Sequence, residues 1–219
     1  MKTEEKTAET INVIYLDIET APGQEPSLDQ FEADKRLKDP EKISANLEEK
    51  KEKAWRAQLL DPYEGQVYCI GIAANDEKPW VIHQETEKET MQDFEDWLAG
   101  YKYYKFVGHN ILDFDAWWLY TKGLKYKLPY VVTRFGRDGG TMIVDTIRLL
   151  DGTSWKTHVS LDKMSKILLG RSAKNEVDGS MVFDLIQAGQ GEKVIKYCKE
   201  DVAVLRDCYK ELVNLGIGM

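Results

Sequence analysis

The 219-residue chain carries 30 Lys and Arg against 38 Asp and Glu, a formal net charge of −8, with 42% hydrophobic and 11% aromatic residues. That composition excludes a disordered chain, and the length fits one large domain, or one domain carrying an insertion. No apolar run approaches the ~20 residues of a membrane span, and three cysteines (Cys69, Cys198, Cys208) form neither a disulfide scaffold nor a zinc-type C-x-x-C pair.

The first eleven residues are polar and mixed in charge, with no signal- or transit-peptide character, and read as a flexible start. Residues 12–18 (Asn-Val-Ile-Tyr-Leu-Asp-Ile) are apolar on both faces, as in a covered central strand, and Pro22-Gly23 ends it. From Leu28 to Leu60, 16 of 33 residues are charged. Asp39-Pro40-Glu41 is a helix start there, and Ile43, Leu47, Ala54, Trp55 and Leu59 give a thin apolar stripe. Residues 24–65 are thus expected to be a docked, charged helical insertion after the first strand. Strands follow at 66–74 and 79–83 around a turn at Asn75-Asp76, then an amphipathic helix at 87–99. A strand at 105–108, a helix from about Leu112 to Thr121 and a strand at 141–145 come next. Helices at 160–169 (Ser160 cap, Gly170 stop), 180–188 and 191–214 complete the chain. The expected fold is α/β, a mixed β-sheet flanked by α-helices in a single domain over 1–219.

Three places put acids where a core belongs. Asp17-Ile18-Glu19 ends the first strand, and residues two apart on a strand share a face, here with Val13 and Tyr15. Asp115 lies in the first turn of the helix after Gly108-His109-Asn110, where the helix dipole favours negative charge. Asp113, two positions earlier, points to the opposite helix face. In the last helix Val194, Cys198, Leu205, Cys208 and Leu212 mark the buried side, and Asp201 falls within that stripe with Tyr197 one turn before it. No fixed Arg or Lys shares that face. Carboxylates clustered ~4 Å apart repel by roughly 4 kcal/mol per pair at an effective dielectric of 20. They therefore take up protons or recruit hard divalent cations, Mg²⁺ or Mn²⁺. A pair of such ions suits phosphodiester cleavage. The net negative charge argues against a protein that coats long stretches of phosphate backbone, and permits one that holds a few nucleotides at a cation-loaded pocket.

In this the sequence resembles the DEDD superfamily of 3′–5′ exonucleases, whose fold is ribonuclease H-like. Asp17-Ile18-Glu19 matches the Asp-x-Glu motif, Asn110 to Asp115 matches Asn-x-x-x-Phe-Asp, and Tyr197 to Asp201 matches the Tyr-x-x-x-Asp motif of the tyrosine subclass. The histidine subclass would have His at position 196, where Lys196 stands. The likeness runs over about 12–214 apart from the insertion, and is greatest to the proofreading domain of family-B DNA polymerases. It implies that Asp17, Glu19 and Asp201 bind a first metal ion. Asp17 would bridge to a second, and Asp115 would act largely through water. Tyr197 would orient the attacking water. It also implies that the main chain at Ile18-Glu19-Thr20 meets the 3′-terminal nucleotide, framed by Asn110 and Phe114. The implied substrate is the 3′ end of nucleic acid, single-stranded DNA before RNA; composition and the lack of an apolar span lead to the expectation of a cytoplasmic protein with no membrane partner. An exoribonuclease of the ribonuclease D type would present the same carboxylates, and a catalytically silent nucleic-acid-binding module would keep the same fold.

The remaining polar residues are expected to be structural: His83, His109 and His158 in turns or packing, and Trp117 and Trp118 in the core with at most one stacking on a base. Asp145-Thr146 fits a helix cap or a support of the site equally well. Lys174 reads as a solvated loop residue. The loop Arg134 to Gly140 is rich in Gly and Arg and is a candidate to reach along a strand of nucleic acid.

Overall fold

A computed structural model describes residues 12–100, 104–136, 142–151, 159–173 and 177–218. The expectations for 1–11, His158, Lys174 and the Gly-rich half of the 134–140 loop fall outside those residues.

The core is a five-stranded mixed sheet in the order β3-β2-β1-β4-β5: β1 (Asn12–Ala21), β2 (Gln66–Ala74), β3 (Trp80–Ile82), β4 (Tyr104–Gly108) and β5 (Met142–Asp145). β1 is central, antiparallel to β2 and parallel to β4, and β5 is parallel to β4. Alternation along β1 feeds two cores. Ile14, Leu16 and Ile18 face α2 (Glu87–Ala99), α3 (Asp115–Tyr126) and α4 (Pro129–Phe135), packing with Met91, Phe94, Trp118, Leu119 and Val131. Tyr15 faces α6 (Leu161–Leu169) and α8 (Gly191–Asn214), packing with Met164, Leu205, Cys208 and Tyr209. The fold is ribonuclease H-like, as expected from the sequence.

The insertion contains α1 (Pro40–Ala57), capped by Asp39 through the Glu41 amide, and a 3-10 turn at Gln58–Leu60. No residue of α1 is fully buried; Ile43, Leu47, Ala54 and Trp55 are half-buried on its docked face. Trp55 meets Phe183 of α7 (Val182–Gln187) edge-on at 5.2 Å, and Arg56 pairs with Asp184 and lies 4.2 Å over the Phe183 ring. The 3-10 turn is stitched to the end of β1: Thr20 Oγ1 donates to the Leu59 carbonyl at 2.8 Å and the Gly23 amide to Gln58 Oε1 at 2.8 Å. Where the chain returns, the buried Lys122 donates to the Gly65 carbonyl at 2.5 Å and pairs with Glu87 at 3.1 Å.

Several expectations need correction. β1 runs on to Ala21, because only Pro22-Gly23 stops it. The helix placed from Leu112 begins at Asp115 and runs to Tyr126. α4 and α5 (Thr146–Asp151) are additional helices. Arg134 belongs to α4 and lies 4.9 Å over the Tyr104 ring, so it is not part of a free loop. Trp118 is fully buried, but Trp117 is 40% exposed and faces Tyr63 at 6.2 Å instead of joining the core.

Candidate active site

The site forms where β1 outruns its neighbour. The β1–β4 ladder stops at Tyr15–Val107, and β4 turns away after Gly108, leaving the edge of β1 open. The Ile18 amide, which a longer β4 would have paired, donates instead to Asp115 Oδ1 at 3.0 Å. Asp115 is the first residue of α3 and 97 positions away in sequence; it is buried, 3% exposed. The chain reaches that position through a tight turn. Asn110 takes a left-handed backbone (φ 68°), which Asn tolerates better than most residues. A Cβ on Gly108 would lie 2.4 Å from the Ile111 Cβ.

The residue that holds this turn is Asp145, at the end of β5. Its buried carboxylate accepts from the amides of Asn110 (3.0 Å), Leu112 (3.2 Å) and Ile147 (3.0 Å). It therefore caps α5 and braces the Asp115 turn at once, so both sequence readings of Asp145 hold. The Thr146 hydroxyl lies within hydrogen-bond distance of the Gly108 carbonyl (3.1 Å) and of His109 Nδ1 (2.9 Å), and its one proton serves one of them at a time. His109 Nε2 meets the Val159 carbonyl at 2.7 Å; a carbonyl only accepts, so this nitrogen carries the proton. With both ring nitrogens engaged and its pKa lowered by burial, His109 is a neutral strut, as expected. His83 is likewise structural, bonded to the Tyr68 carbonyl at 2.8 Å.

On the other side α8 lies against the sheet because Gly71, the β2 partner of Asp17, has no side chain. A Cβ there would come within 2.8 Å of both Cys198 Sγ and Val202 Cγ2. The close approach lets Cys198 Sγ contact the Asp17 carbonyl at 3.6 Å and carries Tyr197 and Asp201 over the end of β1. The three cysteines are free and buried.

Asp17, Tyr197 and Asp201 line one cavity of about 600 Å³, together with His109, Asn110, Asp113, Ile147, Val159, Ser160 and Leu161. Among the described residues no Lys, Arg or His is ion-paired with Asp17, Glu19, Asp115 or Asp201. Their protonation reflects this. Asp17 is raised well above the usual carboxylate range by burial and then by Glu19, Asp115 and Asp201. Glu19 is raised by burial, then by Cys69, Asp201 and Asp115. Burial pushes Asp115 up to about 7, against hydrogen bonds from its own amide and that of Ile18. Burial pushes Asp201 up to about 6, while the Tyr197 hydroxyl beside it favours the anion. Tyr197 is raised by burial and by Asp201, Glu19 and Asp17, so its hydroxyl keeps its proton.

Two observations test whether this set suits a cation. Asp17 Oδ2 is buried with no hydrogen-bond partner, the state of an oxygen that needs a proton or a positive ion. The donors are all carboxylate and hydroxyl oxygens, the chemistry of Mg²⁺ or Mn²⁺. As they stand, no three His, Cys, Asp or Glu side chains among the described residues are spaced to grip an ion. The donor set fits a hard divalent cation, which would offset the burial, and at Asp17 and Glu19 also the repulsion, that disfavours the charged carboxylates.

The expected substrate contacts divide. Asn110 lines the cavity. The Ile18 amide and the Thr20 hydroxyl are already used, by Asp115 and Leu59. Phe114 packs on Trp118 at 5.9 Å and leans on the core instead of lining the cavity. Asp113 does line it, but is 63% exposed and paired with Arg148, apart from Asp115 as the sequence suggested.

The family described as "Predicted 3'-5' exonuclease related to the exonuclease domain of PolB" matches residues 75–206, more than half of the chain. The chain belongs to that family. The match takes in Asp115, Tyr197 and Asp201, while β1 with Asp17 and Glu19 precedes it. The fold of this PolB-exonuclease-like chain also resembles a solved structure, the family B DNA polymerase from the hyperthermophilic archaeon Pyrobaculum calidifontis. There the TM-score is 0.63 and the identity 17%, with 96% of this chain and 25% of that chain covered. The chain thus spans about a quarter of the polymerase it resembles, and at that identity the likeness concerns the fold. No curated protein matches it.

Proposed function

We propose that the protein is a metal-dependent 3′–5′ exonuclease that removes nucleoside 5′-monophosphates from the 3′ end of single-stranded DNA. The observation that carries this reading is the meeting of Asp17, Glu19, Asp115 and Asp201 with Tyr197 at the open end of β1. They come together without any basic partner among the described residues, and Asp17 Oδ2 is left unsatisfied. Two bound Mg²⁺ or Mn²⁺ ions would supply electrostatic stabilisation to the attacking and leaving oxygens of phosphodiester hydrolysis. Asp17, Glu19 and Asp201 would hold the first ion and Asp17 the second as well. Asp115 has Oδ1 committed to the Ile18 amide, which leaves Oδ2 to orient water. Tyr197, kept protonated by its acidic surroundings, donates to Asp201 and holds the attacking water with its oxygen. The apolar wall of Ile147, Val159 and Leu161 excludes bulk water from the terminal nucleoside, with Asn110 at its polar end.

The test is the double substitution Asp17→Ala with Glu19→Ala. It should abolish release of nucleoside 5′-monophosphate, read by chromatography, while the far-ultraviolet circular dichroism spectrum stays that of the wild type. Wild-type turnover in the double mutant, or a 5′-hydroxyl product, would refute the reading. Faster digestion of a matched RNA oligonucleotide would reassign the sugar.

A further inference from the structure

The cavity mouth holds one more charged pair. Arg148 follows the cavity-lining Ile147 on α5, and its Nη2 donates to Oδ1 of the cavity-lining Asp113 at 3.2 Å. Both side chains are more than half exposed, 59% and 63%. An ion pair so open to solvent contributes little to stability. α5 does not depend on it, being held by Asp145 through the Ile147 amide and by Thr146 through Gly108. The contact is a single hydrogen bond, so among the described residues most of the guanidinium fork is unused. The described lining of the cavity contains three aspartates and no Lys or Arg. An anionic strand entering there meets Arg148 as the cation at the rim. A phosphate diester offers two oxygens to the fork and is the better match for it than a carboxylate held by one bond.

We infer that Arg148 is a phosphate-positioning residue. It exchanges Asp113 for a non-bridging oxygen of the linkage one step 5′ of the scissile phosphate, and so seats the strand end in the cavity. Asp113 holds the guanidinium over the mouth when the cavity is empty and competes with phosphate for it. The identity of the anion rests on the exonuclease reading above.

The test compares wild type, Arg148→Ala and Asp113→Ala on a 5′-labelled single-stranded DNA oligonucleotide with Mg²⁺, by initial rates and by fluorescence anisotropy. Arg148→Ala should raise KM about ten-fold with kcat within about two-fold, and Asp113→Ala should lower KM. A neutral methylphosphonate at the penultimate linkage should raise KM for wild type by a similar factor and add nothing in Arg148→Ala. If both substitutions raise KM alike, the pair merely braces the turn and the inference fails. It also fails if the methylphosphonate penalty is the same in wild type and Arg148→Ala. A wild type that does not cleave yet binds the oligonucleotide ten-fold more tightly than Arg148→Ala contradicts the exonuclease reading and keeps the phosphate contact. Equal binding by the two overturns the contact.

Discussion

The Asp115 carboxyl, raised by burial from an ordinary 3.8 to about 7, binds its proton more tightly in the folded chain than in the unfolded one. Asp201, raised to about 6, and Asp17 and Glu19, both raised well above the usual carboxylate range by burial, act in the same sense. Between the unfolded and folded pKa values the native state holds more protons, so stability falls as pH rises from about 4 to about 7. In EDTA the melting temperature should therefore drop across that window. Asp115→Asn, which keeps an oxygen for the Ile18 amide, should flatten the drop, removing on the order of a few kcal/mol of pH-dependent stability. Mg²⁺ should raise the wild-type melting temperature more at pH 7.5 than at pH 5, because more of these carboxylates are ionised there. A profile that does not fall in EDTA would contradict this electrostatic account. Tyr197→Phe removes one hydroxyl and should cost about 10²-fold in kcat with little change in melting temperature. Asp17, Glu19 and Asp201 were legible because each interrupts a buried apolar pattern with an acid. Asp145 was legible as a helix cap or a support of the site, but not its hold on the Asn110 turn, since those amides lie up to 35 residues earlier in the chain.

Each half of the site depends on how two elements approach each other. α8 can lie on the sheet only if position 71 has no side chain, because a Cβ would press on the buried Cys198 and Val202. Gly71→Ala should destabilise by about 1–3 kcal/mol and lower kcat further than that loss alone explains, as α8 lifts Asp201 from Asp17. Adding Val202→Ala should restore part of the activity; no recovery would place the effect elsewhere. Asp145→Ala strips one buried and two half-buried amides of their acceptor and should cost about 2–4 kcal/mol in denaturant unfolding, with amide exchange fastest at 110–112. Most elements followed from periodicity, and α8 follows its expected boundaries of 191–214. α4 did not, because its first amides are capped from another helix: Tyr130 and Val131 donate to Glu95 of α2 at 2.9 and 2.8 Å. α5 starts immediately after the last residue of β5 and is six residues long, too short for a periodic signal.

Over the whole molecule, the order β3-β2-β1-β4-β5 is what places the carboxylates of β1 between α3 and α8, and no local pattern encodes that order. The insertion was legible as a charged, half-docked helix. Its anchor on Phe183 of α7 was not, since that contact joins residues 128 apart or so in sequence. Through Leu59 it enters the small apolar cluster that also contains Tyr197. Trp55→Ala should therefore open α1 to limited proteolysis at native temperature while the β-sheet core stays protected. None of the described helices is long and apolar enough to cross a membrane. With a net charge of −8, the proposed exonuclease would need cations at its carboxylates to meet an anionic strand. The measurement that bears most directly on that dependence is a gel time course with a 5′-labelled single-stranded DNA oligonucleotide in Mg²⁺, Mn²⁺ or EDTA. The account requires a stepwise ladder shortening from the 3′ end with either ion and no shortening in EDTA. Internal cuts, or a ladder that persists in EDTA, would contradict it.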